Sequence, residues 1–278
     1  MVSTKKLVRS VKTFLAPFYL RTGIRVVRVD NYVRPANFLS LIDAYEQLFN
    51  ETIAREHVIP PNERRSKLLI RLQGTTPSEA YYIIKGLVDT AQIEGDVCEF
   101  GVAQGETSLL IANEIAASSK VLHLYDSFEG LPHPTDKDKL KDDIYALGSM
   151  EAYAGALSFP KQMVIARMRA INFPEHRYVI HEGYFENLIA EKRNFPTRVA
   201  FAYVDFDFYE PIKLALDYLD TVTPPGAVIV VDDYNFFSTG AKTAVDEFCA
   251  EQNQGVEKYT LFVPDPRFGY FAVLTKCK

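Results

Sequence analysis

Apolar positions change their spacing twice along this chain of 278 residues. From Asn37 to Phe49 they follow a helical period, with Phe38, Leu41, Ile42, Tyr45, Leu48 and Phe49 on one face, which predicts an amphipathic helix. The stretch 60–73 is basic and polar and leads into Thr76-Pro77-Ser78-Glu79. There Thr76 can cap a helix that has Pro77 at its first position and Glu79 at its third, so a helix is predicted to run to about residue 92. After Gly95 short apolar runs alternate with amphipathic stretches: VCEF at 97–100, a helix over 106–117, then VLHLY at 121–125. Strand, helix and strand at this spacing predict a right-handed βαβ unit in a parallel sheet.

Residues 127–177 interrupt the alternation with clustered charges and Pro132, Pro134, Pro160 and Pro174. They read as an insertion with a helix near 149–170, its part 133–177 forming a cap. The pattern resumes with YVIH at 178–181, VAFAYV at 199–204, a helix over about 210–220, AVIVV at 227–231 and a helix over 240–252. YTLFV and YFAVLT then flank a turn at 265–269, the signature of an antiparallel hairpin. The predicted class is α/β, a mostly parallel sheet closed by a C-terminal antiparallel hairpin. Residues 1–75 form an N-terminal arm and helical cap, and 76–278 form the core.

Charge narrows the partners. A formal net charge of −5 does not suit a surface that tracks nucleic-acid phosphates, so a small ligand is expected. Between Lys5 and Arg28 there are nevertheless seven Lys or Arg and no acid, a surface arm expected to pack on the cap or on a second copy of the chain, making a homo-oligomer. Cys98, Cys249 and Cys277 are too scattered for a disulfide framework or a cysteine zinc site. No run reaches the 18 apolar residues of a membrane span, and a cytoplasmic protein is expected.

The candidate chemistry lies where strands end. The first strand runs into Glu99-Phe100-Gly101-Val102-Ala103-Gln104-Gly105, a turn whose glycines admit a ligand to the rim of the sheet. A dinucleotide-binding turn would carry G-x-G-x-x-G, but position 103 is Ala, and Glu99 suits an ammonium and a sulfonium better than a phosphate. Asp126 ends the second strand, 25 residues beyond Gly101, where a carboxylate can accept both hydroxyls of a ribose.

Asp205 follows one strand and Asp232-Asp233 the next, so three carboxylates should converge on one edge. Like charges at such range repel by several kcal/mol, and the cluster calls for shared protons or a cation. Oxygen-only ligands favour Mg²⁺, Mn²⁺ or Ca²⁺ over zinc. Asp207 reads equally as a supporting residue, a solvated loop acid or the group that removes a substrate proton. Of the five histidines only His181, at the end of the third strand, lies at the rim that faces a cofactor.

Five segments together resemble the macrocin O-methyltransferase family over about 76–253: GDVCEFGVAQGETS, YDSFEGLP at 125–132, HEGYFENL at 181–188, VDFDFYEPIKLALDYL at 204–219 and PGAVIVVDDY at 225–234. The resemblance implies a class I methyltransferase fold with a Rossmann-like sheet. It implies S-adenosylmethionine bound by Glu99, Gly101, Gly105, Thr107, Asp126 and Ser127, with Gly183 and Phe185 bordering the adenine. Asp205, Asp232 and Asp233 would hold a divalent metal such as Mg²⁺, Asp207 would be the general base, and the acceptor would be a hydroxyl of a glycosylated small molecule. The likeness weakens over 1–75 and 133–177, the parts expected to meet the acceptor. Two other readings compete: a metal-dependent glycosyltransferase using Asp205-Phe206-Asp207, which leaves Glu99 and Asp232-Asp233 unexplained, and a non-catalytic binding protein on the same fold.

Overall fold

The computed structural model describes residues 64–191 and 195–277. The helix expected over 37–49 and the basic arm lie outside the described residues. The core is a seven-stranded sheet of β1 (Asp96–Phe100), β2 (Leu122–Asp126), β3 (Tyr178–Glu182), β4 (Val199–Val204), β5 (Val228–Val231), β6 (Tyr259–Phe262) and β7 (Ala272–Lys276), in the order β3-β2-β1-β4-β5-β7-β6. The first five strands are parallel, and β7 is antiparallel to β5 and β6. Fold class and strand positions agree with the alternating pattern.

Why the central strands read as continuous apolar runs is plain from their two faces. Val97, Phe201, Tyr203, Val228 and Val230 enter one core with α1 (Arg65–Leu69), α2 (Pro77–Asp89), α3 (Glu106–Glu114) and α4 (Lys161–Ala170). Cys98, Phe100, Val199, Ala202, Val204, Ile229 and Val231 enter the other, with α5 (Phe185–Ala190), α6 (Tyr209–Val222) and α7 (Gly240–Gln252). A strand covered on both sides has no polar face to show.

Local chemistry sets the helix starts as expected for α2: Glu79 N donates to Thr76 Oγ1 at 3.2 Å, and Thr76 N donates back to Glu79 Oε2 at 3.3 Å. The helix expected near 149–170 is shorter. Glu151–Tyr153 form one 3₁₀ turn, Gly155 takes φ 74°, and Pro160 stands at the start of α4, so the chain breaks where Gly and Pro are placed. The same insertion is fastened to the C-terminal half: Tyr209 N donates to Asp138 Oδ1 at 2.8 Å, Leu140 bridges to Ser238, and Lys141 N donates to Phe237 O at 2.7 Å. At the other end, the stretch read only as basic and polar contains α1, whose Arg65 is buried against Glu114 of α3, Nε to Oε1 2.8 Å.

Candidate active site

Strands β1, β4 and β5 end in step, and their ends make the site. Asp205 N donates to Phe100 O at 2.7 Å and Asp232 N to Val204 O at 2.9 Å, so each strand hands the next its exit point. Gly101 turns away at φ 87°, and a Cβ there would stand 1.8 Å from the carbonyl oxygen of Asp205. Only glycine lets β1 and β4 close at this point.

One cavity of about 1160 Å³ opens above these ends. Of the residues expected to hold the cofactor, Gly101, Asp126, Ser127, Gly183 and Phe185 line it. Glu99, Gly105 and Thr107 are buried behind that lining. Thr107 Oγ1 is 2.8 Å from Thr75 Oγ1. Glu99 has no solvent exposure and neither oxygen has a hydrogen-bond partner. Burial pushes its carboxyl up to about 8, against a downward pull from nearby Ser108.

Asp126 organises the loop. Its Oδ2 accepts from Val102 N at 2.8 Å and Ala103 N at 2.9 Å, and its Oδ1 accepts from Phe128 N at 2.6 Å. Burial raises its pKa and these three N–H groups pull it back. Ser127 Oγ closes the next turn by donating to Gly130 O at 2.9 Å. Gly183 N donates to Asp126 O, and Phe185 packs into the aromatic cluster with Phe100 and Tyr125 while also bordering the cavity. His181 is engaged inside the sheet, 3.1 Å from His123 Nδ1 and stacked on Tyr125 at 4.4 Å between centroids.

The carboxylates that gather differ by one from the expected set of 205, 232 and 233, with Asp207 in the group and Asp232 to its side. Asp205, Asp207 and Asp233 each place one carboxylate oxygen within 4.8 Å of the others. Asp232 is beside this group but turned to other partners: its Oδ2 accepts from Tyr203 Oη at 3.0 Å and its Oδ1 from Asp233 N at 2.7 Å. Burial is the largest cause of raised pKa at all four, placing Asp207 at about 7 and Asp205 and Asp233 well above the carboxylate range, with Asp232 as their next most important neighbour for the latter two. The closeness of the two carboxyls pulls Asp207 down and pushes Asp233 up. Both sit on left-handed backbone, at φ 64° and 57°. For a residue with a Cβ this costs about 1–2 kcal/mol, which the surrounding fold must offset.

Two members of the cluster escape the sequence reading. Tyr203 Oη, fully buried, lies 3.2 Å from Glu79 Oε1 and 3.4 Å from Asp205 Oδ2 as well as 3.0 Å from Asp232. Glu79 is a capping residue with a second partner, its pKa raised well above the usual range by burial first and Asp232 next. The strand period of two puts Tyr203 on the same face as Asp205, a signal available in the sequence. No local pattern joins Glu79 to either.

An all-oxygen set of half-buried acids, with no Lys or Arg hydrogen-bonded to Asp205, Asp207, Asp232 or Asp233 among the described residues, fits a hard divalent cation.

Residues 83–258 match the macrocin-O-methyltransferase (TylF) family. The chain is 26% identical over 152 residues to 8-demethyl-8-(2,3-dimethoxy-alpha-L-rhamnosyl)-tetracenomycin-C 4'-O-methyltransferase of Streptomyces olivaceus, a match over 51% of this chain that spans about half, 54%, of that curated relative. Among solved structures, the O-methyltransferase NovP superposes with a TM-score of 0.63 at 19% identity, covering 86% of this chain and 100% of that one. Calicheamicin methyltransferase CalS11 superposes with a TM-score of 0.57 at 18% identity, covering 91% and 98%. Those two likenesses are of fold, and they give the sheet its class I methyltransferase architecture. With well over half of its length inside the family match, the chain belongs to the macrocin O-methyltransferase family.

Proposed function

We propose that the protein is an S-adenosylmethionine-dependent O-methyltransferase that methylates a sugar hydroxyl on a small molecule, with a divalent cation held by Asp205, Asp232 and Asp233 and a proton accepted by Asp207. The carrying observation is the single cavity that joins the loop at Gly101, Asp126 and Ser127 to the carboxylates at 205, 207, 232 and 233. Donor and acceptor can meet there. Family membership supports methyl transfer, and the acceptor follows the Streptomyces olivaceus relative, whose name places its methyl on the 4' position of a rhamnosyl group.

Bound S-adenosylmethionine would supply an electrophilic methyl group and a divalent cation would lower the pKa of the acceptor hydroxyl. The protein's own residues have the tasks of positioning and proton removal. Gly101, where β1 and β4 close, and Gly183 border the cavity at the strand ends, Asp126 holds the loop that would carry the cofactor, and Phe185 closes the apolar side. Alignment of the acceptor oxygen with the methyl group yields most of the rate that such a displacement needs. Asp207, two residues beyond Asp205 on the chain leaving β4, would take the hydroxyl proton onto its carboxylate as the methyl group passes from sulfur to the acceptor oxygen, the carbon–sulfur bond breaking to leave a neutral thioether.

The test is turnover with labelled methyl donor and a panel of glycosides, alongside calorimetric binding of S-adenosylhomocysteine. Excess chelator is expected to abolish transfer while leaving S-adenosylhomocysteine affinity within about twofold, since the acids are assigned to the acceptor side. Full activity in chelator would remove the cation from the mechanism, and failure of S-adenosylhomocysteine to bind would remove the methyltransferase.

A further inference from the structure

Behind the carboxylates stands a polar group with no exposure of its own. Tyr203 is fully buried on β4, two residues before Asp205, and the strand period turns both side chains to one face. Its hydroxyl is the meeting point of three carboxylates from three elements. Asp232 Oδ2, just beyond β5, lies at 3.0 Å, Glu79 Oε1, in the first turn of α2, at 3.2 Å, and Asp205 Oδ2, just beyond β4, at 3.4 Å. A phenol has one proton, so it donates to one of them at a time, and Asp232 is the shortest contact.

The hydroxyl is held in place from several sides. Tyr203 sits in a central strand, opposite Glu99 of β1 and Val230 of β5, and its ring enters the core that also takes in Ile83 and Ile84 of α2. Glu79 is fixed at its other oxygen, where Oε2 accepts from Thr76 N at 3.3 Å in the capping box. Asp232 is fixed at its other oxygen too, Oδ1 accepting from Asp233 N at 2.7 Å. Asp205 and Asp232 therefore share one contact atom that a central strand and a helix cap keep in position, and the spacing between their carboxylates is set by the protein itself.

Such spacing decides which cation a set of carboxylates accepts. Mg²⁺ demands nearly ideal octahedral geometry at about 2.0–2.1 Å, whereas Ca²⁺ takes oxygens at about 2.3–2.6 Å in irregular arrangements and also binds both oxygens of one carboxylate. Two acids free to swing apart suit the larger ion. With a donor on each oxygen, Asp232 is turned to offer a cation one oxygen rather than two, and the common contact keeps it close to Asp205. Hydrogen bonds to metal-ligating groups change affinity by about 10–100-fold when they are removed.

Resting on the cation reading above, we infer that Tyr203 is a positioning residue that sets the ion preference of the site: its hydroxyl fixes Asp232 against Asp205 at the spacing of a small ion, so that the acids take Mg²⁺ over Ca²⁺. Glu79 keeps the hydroxyl at its post. Tyr203, buried behind the acids, makes no contact with the reacting atoms.

The experiment uses the full chain with S-adenosylhomocysteine and titrates Mg²⁺ and Ca²⁺ separately by calorimetry into the unaltered protein, Tyr203→Phe and Glu79→Gln, with a thermal melt of each. The unaltered protein is expected to bind Mg²⁺ at least about tenfold more tightly than Ca²⁺. Tyr203→Phe should weaken Mg²⁺ by about 10–100-fold and Ca²⁺ by less than about threefold, with S-adenosylhomocysteine affinity within about twofold. Glu79→Gln keeps a side chain that can cap α2 and reach the hydroxyl, and should move the ratio the same way by a smaller factor. A residue that served packing alone would lower the melting temperature and leave the ratio of the two affinities where it was. An unchanged ratio in folded Tyr203→Phe, or a preference of the unaltered protein for Ca²⁺, would overturn the inference. Should Tyr203→Phe fail to fold, Glu79→Gln decides, and an unchanged ratio there overturns it. Binding of neither ion by the unaltered protein would instead overturn the cation reading on which the inference rests.

Discussion

Asp207 and Asp233 leave neighbouring strands and bring their carboxylate oxygens within 4.8 Å of each other, each on a left-handed backbone that a side chain rarely adopts. The strain is placed where two acids need a direction that ordinary strand exit would not give them. The proposed division of labour between Asp207 and Asp205 follows from this pairing. Asp207→Asn should lower kcat by about 10²–10⁴-fold while cation affinity changes little. Asp205→Asn should weaken the cation as well, because its carboxylate is central to the group. Calorimetry with Mn²⁺ and single-turnover kinetics on both variants make the comparison; an Asp207→Asn protein with ordinary kcat, or with cation loss as severe as Asp205→Asn, contradicts the assignment.

Buried acids without a cation give stability an acidic preference. Glu99 ionises at about 8 in the folded chain, and Asp207 at about 7, against ordinary values near 4 when unfolded. Between those limits the folded state binds more protons than the unfolded one, so stability falls as pH rises from about 5 to 8. Urea denaturation without metal or cofactor should show that slope. Glu99→Gln should flatten it by roughly 2–4 kcal/mol across the interval. An unchanged slope in this variant would mean that Glu99 finds a partner in solution that the fold does not reveal.

Arg65 and Glu114 form an ion pair in which each side chain is about 1% exposed. Removing one partner leaves a buried charge, so Arg65→Ala should cost about 3–5 kcal/mol in chemical denaturation. The pair Arg65→Met with Glu114→Leu should recover most of that loss, since apolar groups of similar volume need no compensation. A loss below about 1 kcal/mol for the single variant would show that water reaches the site.

How far the chain could be read before folding follows from the range of the interactions involved. The sheet was legible because its strands are covered on both faces, and Val199–Val204 or Val228–Val231 can be nothing else at that length between helical stretches. The cap at Thr76 was legible because both partners lie within four residues. Arg65–Leu69 was not, since a charged helix that buries its arginine against Glu114, 49 residues away, looks like a solvated stretch. The second role of Glu79 was hidden for the same reason: Tyr203 lies 124 residues beyond it. For the carboxylates, strand ends located Asp205, Asp232 and Asp233 at one edge. Which oxygens gather there depended on the left-handed turns at 207 and 233, and no propensity of Asp announces those with confidence of position.

Asp126 carries two expectations that one variant can separate. As a ribose acceptor it should matter to cofactor affinity alone, but three backbone N–H groups already converge on its oxygens, two of them from the Gly101–Gly105 loop. Asp126→Ala would leave those donors in a partly buried place without an acceptor, at about 1–3 kcal/mol for each that water cannot reach. The variant should therefore lose both thermal stability, by several degrees, and S-adenosylmethionine affinity, by roughly 2 kcal/mol or more. Asp126→Asn retains one carbonyl oxygen for Val102 and Ala103 but points an amide at Phe128 N, so it should fall between the two in stability. Differential scanning calorimetry with and without S-adenosylhomocysteine decides the matter. If Asp126→Ala melts with the unaltered protein and differs only when cofactor is present, the carboxylate serves the ribose and the loop holds its shape without it.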